Sequence, residues 1–455
     1  MSIEVSVKPQ VSYLKQLLDL GQELPATISL IREVRDRATA VVQELAIPTT
    51  RDEEWRFTDL SGLLKVNFQA VSNQESAISL SDINSLILPE AAESRLVFVN
   101  GIYAPDLSSV ANLPEGLFVG NLLAANIPQL DNYLGKQQGG QEVFTALNTA
   151  SLTDAAVVYV PRNLVVETPI HLLFISVTSE AATISQPRCL VVAEAGSAVT
   201  LIEEYLATDV GTDVTDGLLV GGIEEVSVRA GMESVVYFTN SVTEVWVGEN
   251  AEVSHVRVQQ ESKGAFHIGK SAIAQSRNSR YACHAVSFGG QLSRHNLEVF
   301  QIGEATETTL NGLTMIAGSQ VGDTHSAIAL NHPYGITNQL HKCIVGDRAH
   351  AVFNGKVFVP KPAQLTNAGQ LNRNLLLSSK ARVDTKPQLE ITADNVKCSH
   401  GATVSQLEDD EIFYLQSRGI DANSARTLLI NAFAIEIIEQ IPVASVRERL
   451  TQIVR

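Results

Sequence analysis

Val157-Val158-Tyr159-Val160, Leu164-Val165-Val166, Leu172-Leu173-Phe174-Ile175, Leu190-Val191-Val192 and Val199-Thr200-Leu201-Ile202 follow one another closely. Each run is short, β-branched and aliphatic, and each is bounded by turn-forming residues, which is the signature of strands. No amphipathic helix interrupts this texture from about residue 155 to 398, and it continues through Val226-Ser227-Val228. Turn pairs recur at a near-fixed interval: Ala230-Gly231, Glu249-Asn250, Ile302-Gly303 and Val321-Gly322 lie close to multiples of 18 apart. Short strands at such spacing without helices predict stacked β-coils, a solenoid. An antiparallel sandwich or barrel is the competing reading, since it also yields short strands at regular spacing.

Helical segments flank this β body. Ile31, Val34, Ala38, Val41, Val42 and Leu45 recur at three- and four-residue spacing, with Arg32, Glu33, Arg35, Asp36 and Arg37 on the other face. That predicts an amphipathic helix, with Pro25 suited to its start and Pro48 to its stop. Residues 61–150 are mixed, with a strand at Leu96-Val97-Phe98-Val99 running into the turn pair Asn100-Gly101. After Cys398 the pattern turns helical again. A short helix over Glu408–Ser417 closes at Gly419, and Asp421 caps a second helix. Ala425, Leu428, Leu429, Ala432 and Phe433 form one stripe of that helix, and Ile435, Ile437 and Ile438 fall partly outside it. Such a helix is buried by its own chain or presents a face to a partner. A last helix after Pro442 aligns Val443, Val446, Leu450 and Ile453. The expected division is a helical and mixed unit over 1–150, a β core over 151–398 and a helical unit over 399–455.

Composition narrows the function. The chain has 455 residues, 45% apolar, 18% charged and 5% aromatic, with 33 Lys+Arg against 50 Asp+Glu and a net charge of −17. An acidic chain without a basic run repels a phosphate backbone, so nucleic-acid binding is not expected. The longest apolar stretch, around Leu428–Ile435, is broken by Asn431 and falls far short of the roughly 20 residues of a membrane span. Met1-Ser2-Ile3-Glu4 lacks the basic and apolar regions of a secretory signal. Four scattered cysteines (189, 283, 343, 398) make no disulfide framework, which points to a reducing, cytoplasmic compartment.

Gly264-Ala265-Phe266-His267-Ile268-Gly269-Lys270-Ser271 matches the phosphate-binding pattern G-x-x-x-x-G-K-[ST] in full. That loop requires a buried strand immediately before it and a helix immediately after. Here Gln260-Glu261-Ser262-Lys263 separates the motif from the strand-like Val253–Gln259, and strand-like Ala285-Val286-Ser287-Phe288 follows soon after. A turn within the β body is therefore the preferred reading, and a nucleotidase using Gly264–Ser271 is the alternative.

Cys398-Ser399-His400 offers other chemistry. On a strand, positions 398 and 400 point to one side, so a thiolate and an imidazole could share a soft or borderline metal such as iron or zinc. Two ligands leave a tetrahedral site incomplete, and no C-x-x-C supplies more. A buried structural cysteine beside a hydrogen-bonded histidine is the other reading. Cys189, Cys283 and Cys343 stand alone and are expected in the core. Asp323, His325 and His332 are expected in turns.

The run Lys397-Cys398-Ser399-His400-Gly401-Ala402-Thr403-Val404, followed by Ile412-Phe413-Tyr414-Leu415 and Ser417-Arg418-Gly419-Ile420, resembles the C-terminal signature of the SufB/SufD family, in its SufD-type form. Phe353-Asn354-Gly355-Lys356-Val357, Gln370-Leu371-Asn372 and Pro387-Gln388-Leu389-Glu390-Ile391 are similar to the family's preceding block, and Glu54-Trp55-Arg56-Phe57-Thr58 to its N-terminal start. The absence of a cysteine before Cys189 separates the chain from SufB. The resemblance implies a right-handed parallel β-helix flanked by helical units. It also implies a non-enzymatic scaffold subunit of iron–sulfur cluster assembly that pairs with SufB through the β-helix and recruits the SufC ATPase through its C-terminal helices. A homodimer is possible in isolation. Within the resemblance His400 is the leading ligand for iron or a transient cluster shared with the partner, Cys398 is secondary, and the chain alone binds no cofactor. A polysaccharide-acting β-helix enzyme fits less well. Two tryptophans line no aromatic groove, and the neighbours Glu203-Glu204 point to opposite faces of a strand.

Overall fold

A computed structural model describes residues 4–22, 28–70, 78–127, 130–178, 181–209 and 235–454. Pro25, Val226–Val228 and Ala230-Gly231 lie outside the described residues. The β body is a parallel solenoid of two facing sheets. We number its strands β1 (Ala156–Val160), β2 (Ile170–Thr178), β3 (Arg188–Ala193), β4 (Ala198–Asp209), β5 (Tyr237–Val247), β6 (Glu252–Gln260), β7 (Ala265–Gln275) and β8 (Arg280–Ser287). They continue as β9 (Leu292–Gln301), β10 (Glu307–Ile316), β11 (Val321–Ala329), β12 (Ile336–Val345), β13 (His350–Val359), β14 (Asn367–Leu376), β15 (Arg382–Ile391) and β16 (Lys397–Gln406). Odd-numbered strands pair in parallel to make sheet A, and even-numbered strands make sheet B. One coil is thus one strand from each sheet.

Successive strands of sheet A from β5 onward begin at 237, 265, 292, 321, 350 and 382. The repeat is therefore 27 to 32 residues rather than 18. Turn spacing misjudged the period because two strands and two turns of unequal length make each coil.

Alternate residues of each strand face inward. Aliphatic side chains fill one side of the interior, where Leu201, Val245, Val253, Ile273, Cys283, Leu297, Leu310, Ile328 and Val357 form one cluster. The other side is polar and carries a hydrogen-bonded network. Glu203 accepts from Thr243 (2.8 Å) and Tyr205 (2.8 Å) and lies 3.2 Å from His255 Nε2. Arg257 Nη2 donates to His267 Nε2 (2.6 Å), whose Nδ1 lies 2.6 Å from Glu261. His295 meets Ser271 (3.0 Å) and His341 meets Thr314 (3.2 Å).

Helices cover the outer faces. α1 (Glu4–Gln22), α2 (Ser29–Glu44) and α3 (Val143–Ala150) belong to the N-terminal unit. Leu14, Leu17, Leu18, Phe144 and Leu147 from α1 and α3 pack with Phe238, Phe266 and Ile268 on the outside of sheet A. α2 buries Ile31, Val34, Ala38 and Val42 of the stripe its periodicity predicts, and it also buries Arg35, which that periodicity placed on the other face and which donates to the Gly21 carbonyl at 2.9 Å. The N-terminal unit also caps the first coil: Phe118–Asn121 pairs antiparallel with β1, and Ser94–Val99 pairs parallel with β2. At the other end α4 (Asp409–Ser417), α5 (Ala422–Ile438) and α6 (Ala444–Val454) follow β16. Ile430, Ala434, Ile437, Ile438, Val446 and Leu450 pack on Ile202, Val256, Val258, Leu313 and Ile344 outside sheet B. Two further contacts fix this unit. Arg449 enters sheet B to pair with buried Glu204, and Ser445 binds Glu90 of the N-terminal unit through its amide (3.0 Å) and hydroxyl (2.5 Å).

Burial has a price in acid. His171 and His341 are fully enclosed, and desolvation pushes both down to about 3. A histidine with a depressed folded pKa binds fewer protons folded than unfolded. Its contribution is complete above the unfolded value near 6.5 and is lost as pH falls toward the folded value. Each should remove about 1.4 kcal/mol of stability per pH unit below about 6. Urea unfolding at pH 7, 6 and 5 should therefore show a falling free energy, and His341→Gln should make that slope shallower by one proton. An unchanged slope would show that His341 titrates normally in the folded chain.

Candidate functional site

Each end of a parallel solenoid exposes two strand edges. The first coil is capped by the N-terminal unit, whereas β15 and β16 are the terminal strands of sheets A and B at the other end. Both are ten residues long, and neither holds a fully buried residue. Their unpaired amides and carbonyls are available to another chain.

Cys398 and His400 lie on β16 at this end. Their partners in register on β14 are Ala368 and Gln370, so both share the parity of inward-facing residues. Cys398 is half-buried against the aliphatic interior cluster, and burial raises its thiol above the usual range. His400 is exposed. Beneath it Gln370 is buried, donates to Gln339 (2.8 Å), and leaves its Oε1 without a hydrogen-bond partner among the described residues. The two predicted ligands thus share one strand face. Among the described residues no group of three or more His, Cys, Asp or Glu side chains could hold a metal ion. Cys189, Cys283 and Cys343 are buried, and desolvation pushes Cys283 and Cys343 up to about 12, so they are core residues rather than nucleophiles.

α4 and α5 carry the second exposed feature. Asp421 caps α5 as expected, accepting from the amides of Asn423 and Ser424 at 3.0 Å, and Gly419 ends α4's turn with φ +88°. The buried face of α5 is Ala425, Ile430, Ala434, Ile437 and Ile438. Of the predicted stripe only Ala425 is buried: Leu428 is 49% exposed, Ala432 is exposed, and Leu429 and Phe433 are half-covered. Phe413 (69%) and Tyr414 (56%) of α4 add to this apolar surface, beside the acidic first turn Asp409-Asp410-Glu411.

The nucleotide-loop alternative fails on geometry. Lys263-Gly264 is a turn, but Ala265–Gln275 is one strand with every residue buried, and no helix follows. Lys270 faces outward to Glu298 (2.7 Å) and the Gly139 carbonyl (3.2 Å). Gly269 faces inward because a Cβ there would lie 2.6 Å from Arg257 Nη2. Gly269 and Lys270 each have a structural role on this strand, and neither forms part of a loop at a helix N-terminus.

Sequence reasoning missed one cluster. Asp323 and His325 are on strand β11 rather than in a turn, whereas His332 lies in the loop after it. Asp323 pairs with Arg294 (2.6 Å) and accepts from Thr58, and His325 Nδ1 lies 3.2 Å from Glu54 Oε2. Arg294 also stacks over Trp55, with 3.8 Å from Cζ to the ring centroid. The conspicuous Glu54-Trp55-Arg56-Phe57-Thr58 segment is thus a clasp on sheet A, held through Glu54, Trp55 and Thr58.

The family profile described as "SUF system FeS cluster assembly, SufBD core domain" matches residues 174–433, and "SufBD protein N-terminal region" matches 14–172. An iron–sulfur cluster assembly SufBD family protein of Synechocystis is 51% identical, covering 94% of this chain and 91% of the relative. The chloroplastic protein ABCI7 of Arabidopsis thaliana is 35% identical over 98% and 92% of the two chains. The iron–sulfur cluster assembly protein SufD of Escherichia coli is 32% identical over 86% and 85%.

Lys270→Ala tests the structural account of the motif. It should leave any phosphate release from ATP unchanged while lowering unfolding free energy by about 1–3 kcal/mol, because Glu298 loses its partner. Loss of a nucleotidase activity in that variant would restore the nucleotide-loop reading.

Proposed function

The chain belongs to the SufBD family of iron–sulfur cluster assembly proteins, and from this we propose that it is a SufD-like, non-enzymatic scaffold subunit. In this reading it pairs with a SufB-like subunit through the free edges of β15 and β16. A SufC-like ATPase docks on the exposed apolar surface of α4 and α5. Iron or a nascent cluster is cargo, held jointly at the pairing interface by His400, with Cys398 as a second donor.

One observation carries the reading: the solenoid is capped at its first coil and open at its last, and His400 sits at the open end. A partner strand there would satisfy two rows of backbone groups while bringing its own side chains beside His400. The incomplete ligand set supports a shared site, since among the described residues neither Cys398 nor His400 has further donors grouped with it. Neutral imidazole and thiolate suit iron or zinc, and the raised thiol of Cys398 makes His400 the readier donor. The half-covered stripe of α5 supports docking, because Leu428, Phe413 and Tyr414 remain exposed after the helix has packed. In isolation the same edges are open to a second copy of the chain.

Co-expression with SufB and SufC tests the assignment. Leu428→Asp with Phe413→Asp should leave the SufB pairing intact and release SufC from the purified complex. His400→Ala should preserve assembly yet diminish cluster formation on the complex under anaerobic conditions. Wild-type cluster formation by His400→Ala would sink the site, and retention of SufC by the double variant would sink the docking face.

A further inference from the structure

The two free edges at the open end are not alike. Along a parallel strand the backbone groups of successive residues point alternately to one neighbouring strand and to the other. The amides of Arg382, which opens β15, and of Thr392, just past its end, donate to the Ala349 and Val359 carbonyls at 3.0 and 2.9 Å. Even-numbered residues of β15 therefore bond to β13, and odd-numbered ones turn their backbone groups to the free edge. Pro387 stands in the middle of that free row. The register of β13 with β15 runs unbroken through it, with Gly355 opposite Pro387, so no bulge turns it aside. The missing N–H leaves two short pieces of edge, Val383 with Thr385 and Leu389 with Ile391.

On β16 the parity is reversed in number and the row is whole. The Lys397 amide donates to the Thr366 carbonyl at 2.9 Å, so odd-numbered residues bond to β14. Cys398, His400, Ala402, Val404 and Gln406 turn to the free edge, and each of them has its N–H. A proline facing outward from an edge strand blocks the addition of a further strand. β15 carries that block and β16 does not.

We infer that the partner at the open end adds an extended strand to β16 alone and meets β15 through side chains. The inference rests on the pairing proposed for the scaffold and narrows it to one sheet. A strand laid along β15 would bury a carbonyl opposite Pro387 with no donor to meet it, whereas β16 answers every group of an incoming strand. Cys398 and His400 turn their backbone to the edge and share the inward parity of side chains, so the added strand lies directly beside them, about 4.8 Å away. The donors missing from their ligand set then come from inward-facing residues of that strand. The surface therefore fits a subunit with an exposed edge strand of its own, not a helix.

Residue-resolved amide hydrogen exchange on the complex of the full chain with the SufB-like subunit tests this, against the chain alone diluted until monomeric. Pairing should slow the amides of His400, Ala402 and Val404 by about tenfold or more and leave those of Thr385 and Leu389 within a few-fold of their rates. Ala402→Pro removes one edge-facing donor from an exposed residue and no bond to β14, so it should keep the chain folded and weaken pairing by about tenfold or more. Pro387→Ala restores the absent amide on β15 and should leave affinity unchanged. Equal protection of Thr385 and Leu389, a complex that leaves His400, Ala402 and Val404 unprotected, tighter pairing in Pro387→Ala, or full affinity in folded Ala402→Pro would each overturn the inference while the scaffold reading stands. Exchange in wild type decides the matter if Ala402→Pro fails to fold. Failure of wild type to bind the SufB-like subunit at all would overturn the reading beneath it as well.

Discussion

Parallel strands stacked in coils satisfy their backbone hydrogen bonds only through the coil before and the coil after. The constraint is harmless in the middle of the solenoid and acute at its ends. At the first coil the chain answers it from its own sequence, with Phe118–Asn121 laid antiparallel against β1 and Ser94–Val99 laid against β2. At the last coil nothing in the described chain performs the same task. The C-terminal helices are held away from that edge. They turn back along the outside of sheet B and anchor at Lys342, which pairs with Glu436 and donates to the Phe433 carbonyl at 2.8 Å. A chain able to cap one end and equipped with a helical segment beside the other leaves β15 and β16 open by construction.

The interior obeys a related rule. A coil narrow enough to pack aliphatic ladders has little room for imidazoles and guanidiniums, yet this chain buries several. Space comes from glycine. Gly269, Gly312 and Gly355 face inward 43 residues apart, and a Cβ at each would collide with Arg257, His341 and Gln370 respectively. Each polar side chain therefore crosses the lumen over a glycine from a neighbouring or facing strand. The hydrogen-bonded half of the interior resists register slips, because a shift by one residue would turn charges paired on the outer faces, such as Lys270 and Lys342, into the lumen. The few aromatics of the composition now have a physical reason: the lumen is filled by branched aliphatics on one side and by small and polar groups on the other.

What was legible in the sequence was local. Asp421 and Gly419 mark helix ends through their own backbone chemistry, and the α2 and α6 stripes follow from periodicity, so both are written in neighbouring residues. The β body was legible as texture but not as period, since the coil length depends on turns of unequal size. The α5 stripe misled for an instructive reason. Its two apolar faces compete for sheet B, and the face with Ile430, Ala434 and Ile437 wins the burial, which leaves Leu428 outside. The pairing of Glu54 with His325 spans 271 residues and has no periodic signal; only the unusual density of charge and aromatic character in Glu54–Thr58 hinted at it.

Two ion pairs fix the flanking units to the solenoid. Arg294 and Asp323 lock the N-terminal segment to sheet A, Arg449 and Glu204 lock α6 into sheet B, and each pair would leave a buried charge stranded if broken. Among the described residues no fully buried ion pair holds β15 and β16, whose polar contacts include exposed pairs such as Lys356–Glu390 (2.7 Å) and Lys386–Glu53 (2.7 Å). Exposed pairs of this kind contribute about 0–1 kcal/mol, so they align the edge strands without committing them. The strongest electrostatics thus stabilise the body of the solenoid, and the weakest lie at its open end. The strand that carries Cys398 and His400 is therefore the part of the sheet most easily completed by another chain.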